Sequence, residues 1–518
     1  MYPPHVLAFT NLDGLTANKH NLSNFGSLNK AHSPDFFEKG TFMNQRPNIV
    51  FIMTDHTGAQ AIDPNSPCST PHLDALAEEG IRHQRCYTTN AICSPARASL
   101  MTSLYPSTHG MWDCTHTQRK SWVDVPARRF RYFSQNLAET GYKNAYFGKW
   151  HVEQSNELRA FGWHEYDLGC SGISRKAMPS TEIVVKTPGY RDYLLAGQLA
   201  DESSLSHPAF DRGIAFIKEQ VSQSPDQPFC CFISTIEPHD PYLAPERFLD
   251  LYDVNSVPLS PTLRDEIGEK PEVLKRMRKV WEDMTDQDWR YMTAAYRAVV
   301  SFLDSQVGRT VNALDELGIT DNTIIVFTSD HGDMLGGHGL ATKGVATSYE
   351  EVYNIPLVMR GPGIAKIGEY DGSFASLVDL GPTLLDMCRT EPLPSAQGSS
   401  LRRMIEGGSE AGDSDHAYAE FFGQRFVYTQ RIYWEDGWKY VFSPGGIDEL
   451  YCLSEDPHER SNLAYRDQHS NQVEHMMKRI WAKMREIGDE SLFNTHYATL
   501  RTAAVGPLSI GADLPLER

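Results

Sequence analysis

Four short apolar runs in this chain end in residues whose types can do chemistry. "NIVFIMTDH" runs into Asp55 and His56, "KNAYFGKWH" into Lys149 and His151, and "PFCCFISTIEPHD" leads to His239. "NTIIVFTSDH" ends in Asp330 and His331, with Lys343 thirteen residues beyond Asp330. A further stretch, "AICSPARASLMTSLYPSTHG", opens what reads as a helix with Cys93 and sets Arg97 four residues on, one turn along, so that both share a face. Lys149 and His151, two apart on an expected strand, would face one side.

Taken singly, these residues have ordinary readings. An Asp after a strand caps the next helix, a lone His is a hydrogen-bonded structural residue, a loop Lys is solvated, and a buried Cys is a small hydrophobe. Their gathering at strand ends changes the weighing, because open α/β sheets bind ligands beyond the carboxyl ends of their strands. Asp55 and Asp330 suit a hard divalent cation such as calcium; the histidines His56 and His331 leave manganese or magnesium as alternatives. Arg97, Lys149, His151, His239 and Lys343 then supply positive charge around a tetrahedral anion that the metal also polarises. A helix N-terminus adds a favourable field, about 0.3–1 kcal/mol where exposed.

The elements that must position these residues alternate. Val/Ile/Phe-rich runs without a polar face are interleaved with helical patterns such as "DWRYMTAAYRAVVSFLDSQVGRTVNALDELG", which predicts an α/β fold around a large, mostly parallel sheet flanked by helices. Beyond residue 404 the texture becomes aromatic-rich runs at short spacing, closed by "NQVEHMMKRIWAKMREIG". That pattern predicts a smaller C-terminal domain of antiparallel sheet plus one helix. The expected division is an N-terminal extension or arm over 1–42, a catalytic domain over 43–404, the smaller α+β domain over 405–490, and a tail over 491–518.

Composition sets limits on partners. With 518 residues and 40% hydrophobic content the chain can bury a large core. Lys and Arg total 48 against 67 for Asp and Glu, and the formal charge of -19 argues against nucleic acid as a partner. The opening residues lack a secretory pattern and no run reaches membrane-span length, so the expectation is a cytoplasmic protein with no membrane partner. Nine cysteines, two of them adjacent at Cys230 and Cys231, fit poorly with a disulfide framework. Whether the chain forms a homo-oligomer is left open.

"CSPAR" at Cys93 to Arg97 matches the Cys-x-Pro-x-Arg signature of the type I sulfatases, and the chain resembles that family well beyond it. "PNIVFIMTD", "TPHLDALAEEG", "GKWH", "PHDPY", "TSDHGDMLGGHG", "GSSLRRMIEG" and "LYCLSEDPHERSNLA" are similar to successive family landmarks, in order, from about residue 46 to 465. The resemblance implies the alkaline-phosphatase-like fold and hydrolysis of a sulfate monoester. It also implies that a maturation enzyme, the formylglycine-generating partner, oxidises Cys93 to formylglycine, whose hydrate is an oxygen nucleophile. Asp55, Asp330, residue 93 and His331 would then hold one divalent metal, with calcium foremost. Arg97 and His151 would hold the hydrate, and Lys149, His239 and Lys343 the sulfate. His56 departs from the second Asp of many members and removes a carboxylate from the metal site.

The substrate class expected is a small sulfated molecule, a sulfated carbohydrate, recognised through Arg159, Trp163, Tyr166, Tyr190, Arg191 and Trp281. Two alternatives stand beside it: a phosphonate monoester or phosphodiester hydrolase of the same superfamily, and an unmatured protein that binds sulfated ligands without turnover. The Lys-x-His pair of "GKWH" favours the sulfate ester.

Overall fold

The computed structural model describes residues 46–117, 129–155, 157–173, 182–199, 206–345, 347–370, 372–407, 414–493 and 497–511. The arm expected over 1–42 and part of the tail lie outside the described residues. Eight strands form the larger sheet: β1 (Asn48–Thr54), β2 (Ile81–His83), β3 (Lys143–Gly148), β4 (Glu165–Asp167), β5 (Phe229–Ser234), β6 (Thr323–Ser329), β7 (Leu357–Arg360) and β8 (Gly368–Tyr370). Their order is β8-β2-β7-β6-β1-β5-β3-β4. Only β7 runs antiparallel to its neighbours; every other pairing is parallel. Every residue of β1, β5 and β6 is buried, which is why their sequences lack a polar face.

Helices cover both faces. Their ranges are α1 (Pro71–Glu78), α2 (Cys93–Thr102), α3 (Pro208–Gln223), α4 (Asp286–Glu316) and α5 (Leu377–Met387). Alternate side chains of β1 feed two cores. Val50 and Ile52 pack in the core that includes α1, α3 and α4, while Ile49, Phe51 and Met53 pack with α2 and α5. On the latter side Phe232 stacks between Phe51 and Tyr146, with ring centroids 4.6 and 4.8 Å away.

The C-terminal region forms a four-stranded antiparallel sheet, β9 (His416–Gly423), β10 (Val427–Glu435), β11 (Trp438–Phe442) and β12 (Glu449–Cys452). Helix α6 (Ser470–Ile487) lays Met476, Met477, Ile480 and Trp481 against Tyr433, Tyr440 and Phe442. The opposite face, with Ala419, Phe421, Ile432 and Trp434, joins the core of the larger sheet, and residues 45–518 make one compact unit. Among the described residues no helix is long and apolar enough to cross a membrane.

The central strands β6, β1, β5 and β3 all deliver their next residues to one end of the sheet. One expectation needs correction here: β3 stops at Gly148, so Lys149 and His151 leave in a turn rather than on a strand. Gly148 has φ +107 and His151 φ +55, and this left-handed path, not strand alternation, aims the two side chains. A Cβ on Gly148 would lie 1.8 Å from the Ser234 carbonyl oxygen of the neighbouring strand. Gly148→Ala therefore should lower the unfolding free energy by about 1–3 kcal/mol, read from urea denaturation. Gly268→Ala, where an added Cβ meets nothing, should leave the midpoint unchanged.

Candidate active site

Cys93 is the first residue of α2, and the sequence around it explains how it is presented. Ile92, with extended backbone, precedes the helix without a side-chain cap, and all ten helical residues are buried. Pro95 sits in the first turn, where its missing N–H costs no intrahelical bond. The Cys93 thiol lies 3.5 Å from Asp55 Oδ1 and 3.2 Å from His331 Nε2. Its hydrogen bond with Cys114, and then burial, push it well above the usual thiol range. As a thiol it is a poor nucleophile.

One turn on, the Arg97 guanidinium ties three strand ends together. Its Nε donates to Asp330 Oδ2 at 2.7 Å, and Nη1 donates to the Lys149 carbonyl at 3.0 Å and to Ser234 Oγ at 2.8 Å. Nη2 stays 3.9 Å from Asp55 Oδ2, buried without a hydrogen bond. Arg97 thus faces the site beside Cys93, as the four-residue spacing predicts. Burial opposes the charge of Asp330, but Arg97 and then His331, Lys149 and Lys343 outweigh it and hold the carboxyl well below the usual range.

Asp55, Cys93, Asp330 and His331 are all buried, and their ligand atoms lie within 4.8 Å of one another. The fit to a divalent cation rests on chemistry: two fully buried carboxylates face one centre, and the Lys149 ammonium contacts Asp55 Oδ2. Burial also holds His331 down to about 3, so that Nε2 offers a lone pair, while Nδ1 lies 3.0 Å from the Gly332 carbonyl. These residues fit a resident cation.

His56 is placed by partners that the sequence did not single out. Its Nδ1 lies 2.7 Å from Asp333 Oδ2, an oxygen that also accepts from the Tyr242 hydroxyl at 2.8 Å. With its proton toward Asp333, the ring turns the Nε2 lone pair to Lys343 Nζ and towards Asp55 Oδ1, 3.7 Å away. Asp333 was legible only as one more acid in "SDHGDMLGG"; nothing in its spacing marks the side chain's direction.

The remaining expected residues line the opening. His239, 30% exposed at its side chain, sets Nδ1 2.7 Å from the Asp240 carbonyl and Nε2 3.3 Å from Lys343 Nζ. His151 is held down to about 2 by burial and the nearby Lys149 and Arg97 charges, and Lys149 to about 8 chiefly by burial. Neutral imidazoles beside ammoniums can accept protons while the ammoniums bind an anion. Trp163 corrects another expectation: it is 1% exposed and packs edge-on to Tyr146 and Phe232, in the core and away from any substrate. Trp281 is buried also, whereas Tyr190, Arg191 and Arg159 are exposed.

The C-terminal sheet reaches the same opening. Trp112 stacks on Phe422 with centroids 5.2 Å apart, and the Arg425 N–H donates to Asp113 Oδ2 at 2.7 Å, beside Cys114. From the sequence, specificity is placed on Arg159, Trp163, Tyr166, Tyr190, Arg191 and Trp281 and on nothing in this C-terminal sheet.

Fold and site together define an alkaline-phosphatase-like α/β protein. The family model described as Sulfatase matches residues 47–389, and one described as N-sulphoglucosamine sulphohydrolase, C-terminal, matches 336–487. The chain belongs to the sulfatase family and is a sulfuric ester hydrolase. It is 30% identical over 447 residues to a choline-sulfatase of Rhizobium meliloti (strain 1021), covering 81% of this chain and 82% of that protein. Two solved structures share the fold. A phosphonate monoester hydrolase of Agrobacterium radiobacter superposes with a TM-score of 0.70 at 22% identity, covering 85% of this chain and 96% of that one. BT4656 in complex with its substrate D-glucosamine-2-N,6-O-disulfate gives a TM-score of 0.68 at 22% identity, covering 86% and 99%.

Removing the guanidinium that spans β6, β5 and β3 leaves Asp330 buried without its direct ion-pair partner. Arg97→Ala should cost about 3–5 kcal/mol of stability, seen as a fall in the urea midpoint. Arg97→Lys should recover only part of it, because an ammonium cannot fork to several partners at fixed angles.

Proposed function

We propose that the chain hydrolyses a sulfate monoester of a carbohydrate, with residue 93 acting as formylglycine. What carries the reading is the position of Cys93, at the open end of α2, beside Asp55 and His331 and within a ring of Arg97, Lys149, His151, His239 and Lys343. A thiol among hard ligands makes little chemical sense as the working group. A hydrated aldehyde there supplies two oxygens.

Asp55, Asp330, His331 and residue 93, with His56 alongside, would hold a divalent cation, calcium or else manganese or magnesium. When bound, it would draw charge from the sulfate oxygens. Lys149 and Lys343 bind and orient the sulfate, and Arg97 Nη2 donates to the hydrate. One hydrate hydroxyl passes its proton to the neighbouring Asp55 carboxylate as its oxygen attacks sulfur, and the bond from sulfur to the bridging oxygen breaks. The leaving alcohol takes a proton from His239 Nε2, once that nitrogen has drawn one from the Lys343 ammonium 3.3 Å away, or from Lys343 itself. His151 then removes the proton of the second hydroxyl, the carbon–oxygen bond to sulfate breaks, and the aldehyde returns, ready to be hydrated again.

The carbohydrate is supported by the rim and by relatives. Trp112 and Phe426 are 45% and 55% exposed, Arg425 sits in the β9–β10 turn with its N–H on Asp113 next to Cys114, and such aromatic and cationic groups suit anionic sugars. BT4656 is bound to a disulfated glucosamine. A phosphonate monoester hydrolase is the second reading, favoured by the shared fold of the Agrobacterium enzyme. Comparing aryl sulfate with aryl phosphonate turnover separates the two.

Cys93→Ala should abolish turnover while far-UV circular dichroism stays unchanged, and activity per molecule of wild-type protein should scale with the formylglycine fraction measured by peptide mass. An active Cys93→Ala enzyme ends this mechanism. The acid can be found by leaving group, since a poor alkoxide needs a proton as its bond breaks and a nitrophenolate needs almost none. His239→Ala should therefore lose about 10²–10⁴-fold on alkyl sulfates and far less on nitrophenyl sulfate. Equal losses would move the role to Lys343.

A further inference from the structure

We propose that Cys114, His116 and His151 form a second metal site, for a thiophilic ion such as zinc, at the mouth of the catalytic pocket. The ligand atoms of the three all lie within 4.8 Å of one another. The nitrogens His116 Nδ1 and His151 Nε2 stand 3.3 Å apart, and the two rings meet edge to edge, 13° from parallel with centroids 5.5 Å apart. That spacing matches a zinc edge. Two nitrogens each about 2.0–2.1 Å from a tetrahedral ion are separated by about 3.3–3.4 Å. Within the pocket His151 Nδ1 is buried and makes no hydrogen bond among the described residues, and Nε2 meets His116.

The donor set differs in kind from the neighbouring centre. Asp55 and Asp330 present hard oxygens, whereas one sulfur and two imidazoles prefer zinc over calcium or magnesium. Three protein ligands leave a fourth position for water. Cys114 is buried, His151 half-buried and His116 exposed, so an ion can enter from solvent along His116. Binding breaks the Cys114 S–H bond: the sulfur keeps the electron pair for the metal and the proton goes to solvent. No oxidant or reductant is needed. The consequence for turnover rests on the proposed function. An ion on His151 takes the lone pair needed to release sulfate, and so inhibits without displacing the cation at Asp55 and Asp330.

Cobalt is the probe for binding, and a Cys93→Ala background removes the other thiol of the pocket. Titration with cobalt in the presence of excess calcium should give a thiolate-to-cobalt charge-transfer band and one bound cobalt that calcium does not displace, beyond any held at Asp55 and Asp330. Adding Cys114→Ser should remove the band, and adding His116→Ala should weaken binding and alter the ligand-field spectrum. Absence of the band, or its survival in the Cys114→Ser chain, overturns the site. This readout needs no turnover, so it stands apart from the sulfatase mechanism. In enzyme with residue 93 intact, zinc should inhibit aryl sulfate hydrolysis, and Cys114→Ser and His116→Ala should retain activity but lose that inhibition. Undiminished zinc inhibition in both variants overturns the coupling to His151.

Discussion

Two carboxylates, Asp55 and Asp330, sit fully buried at the ends of adjacent strands, and the site depends on keeping them ionised there. Burying an unpaired carboxylate is prohibitive, and the same low dielectric that makes it so strengthens any nearby positive charge. Arg97 supplies the compensation to Asp330 and Lys149 to Asp55. Because these cations come from α2 and from the turn after β3, the helix and the strand ends hold one another in place. The charge balance, more than apolar packing, makes the arrangement specific to one geometry.

Much of this was legible in the sequence for a simple reason. Strands buried on both faces are continuous apolar runs, so β1, β5 and β6 are unmistakable, and the polar residue that ends each run must emerge at the same edge of a parallel sheet. That pattern points to Asp55, Asp330 and His331, whereas Cys93 and Arg97 are singled out by their one-turn helical spacing and by the resemblance of "CSPAR" to a family signature. What the pattern could not give was direction off the regular elements. Lys149 and His151 converge through the left-handed backbone at Gly148 and His151, and Asp333 matters only because its carboxylate reaches back to His56. Trp163 misled because an aromatic residue is equally suited to a binding wall and a core, and only its neighbours decide.

The C-terminal sheet illustrates a longer-range limit. Its α6 face reads clearly as amphipathic packing, but its other face merges with the main core, and the β9–β10 hairpin meets the loop that carries Cys114. Contacts between residues more than three hundred positions apart leave no local periodicity. Such contacts let the rim vary in shape and charge while the strand ends beneath it keep their chemistry.

Helix α2 has no exposed residue, and Cys93 itself is 2% exposed. Once that helix has docked, a second enzyme cannot close around "CSPAR" without undoing the core. Any covalent editing of this thiol therefore belongs to the chain's youth, in a contest between the editing enzyme and the collapse of the sheet onto α2. On the proposed function, in which residue 93 works as formylglycine, a molecule that folds first is sealed in its unedited form, and the active fraction of a preparation would record a race at synthesis that no later treatment of the folded protein can rerun.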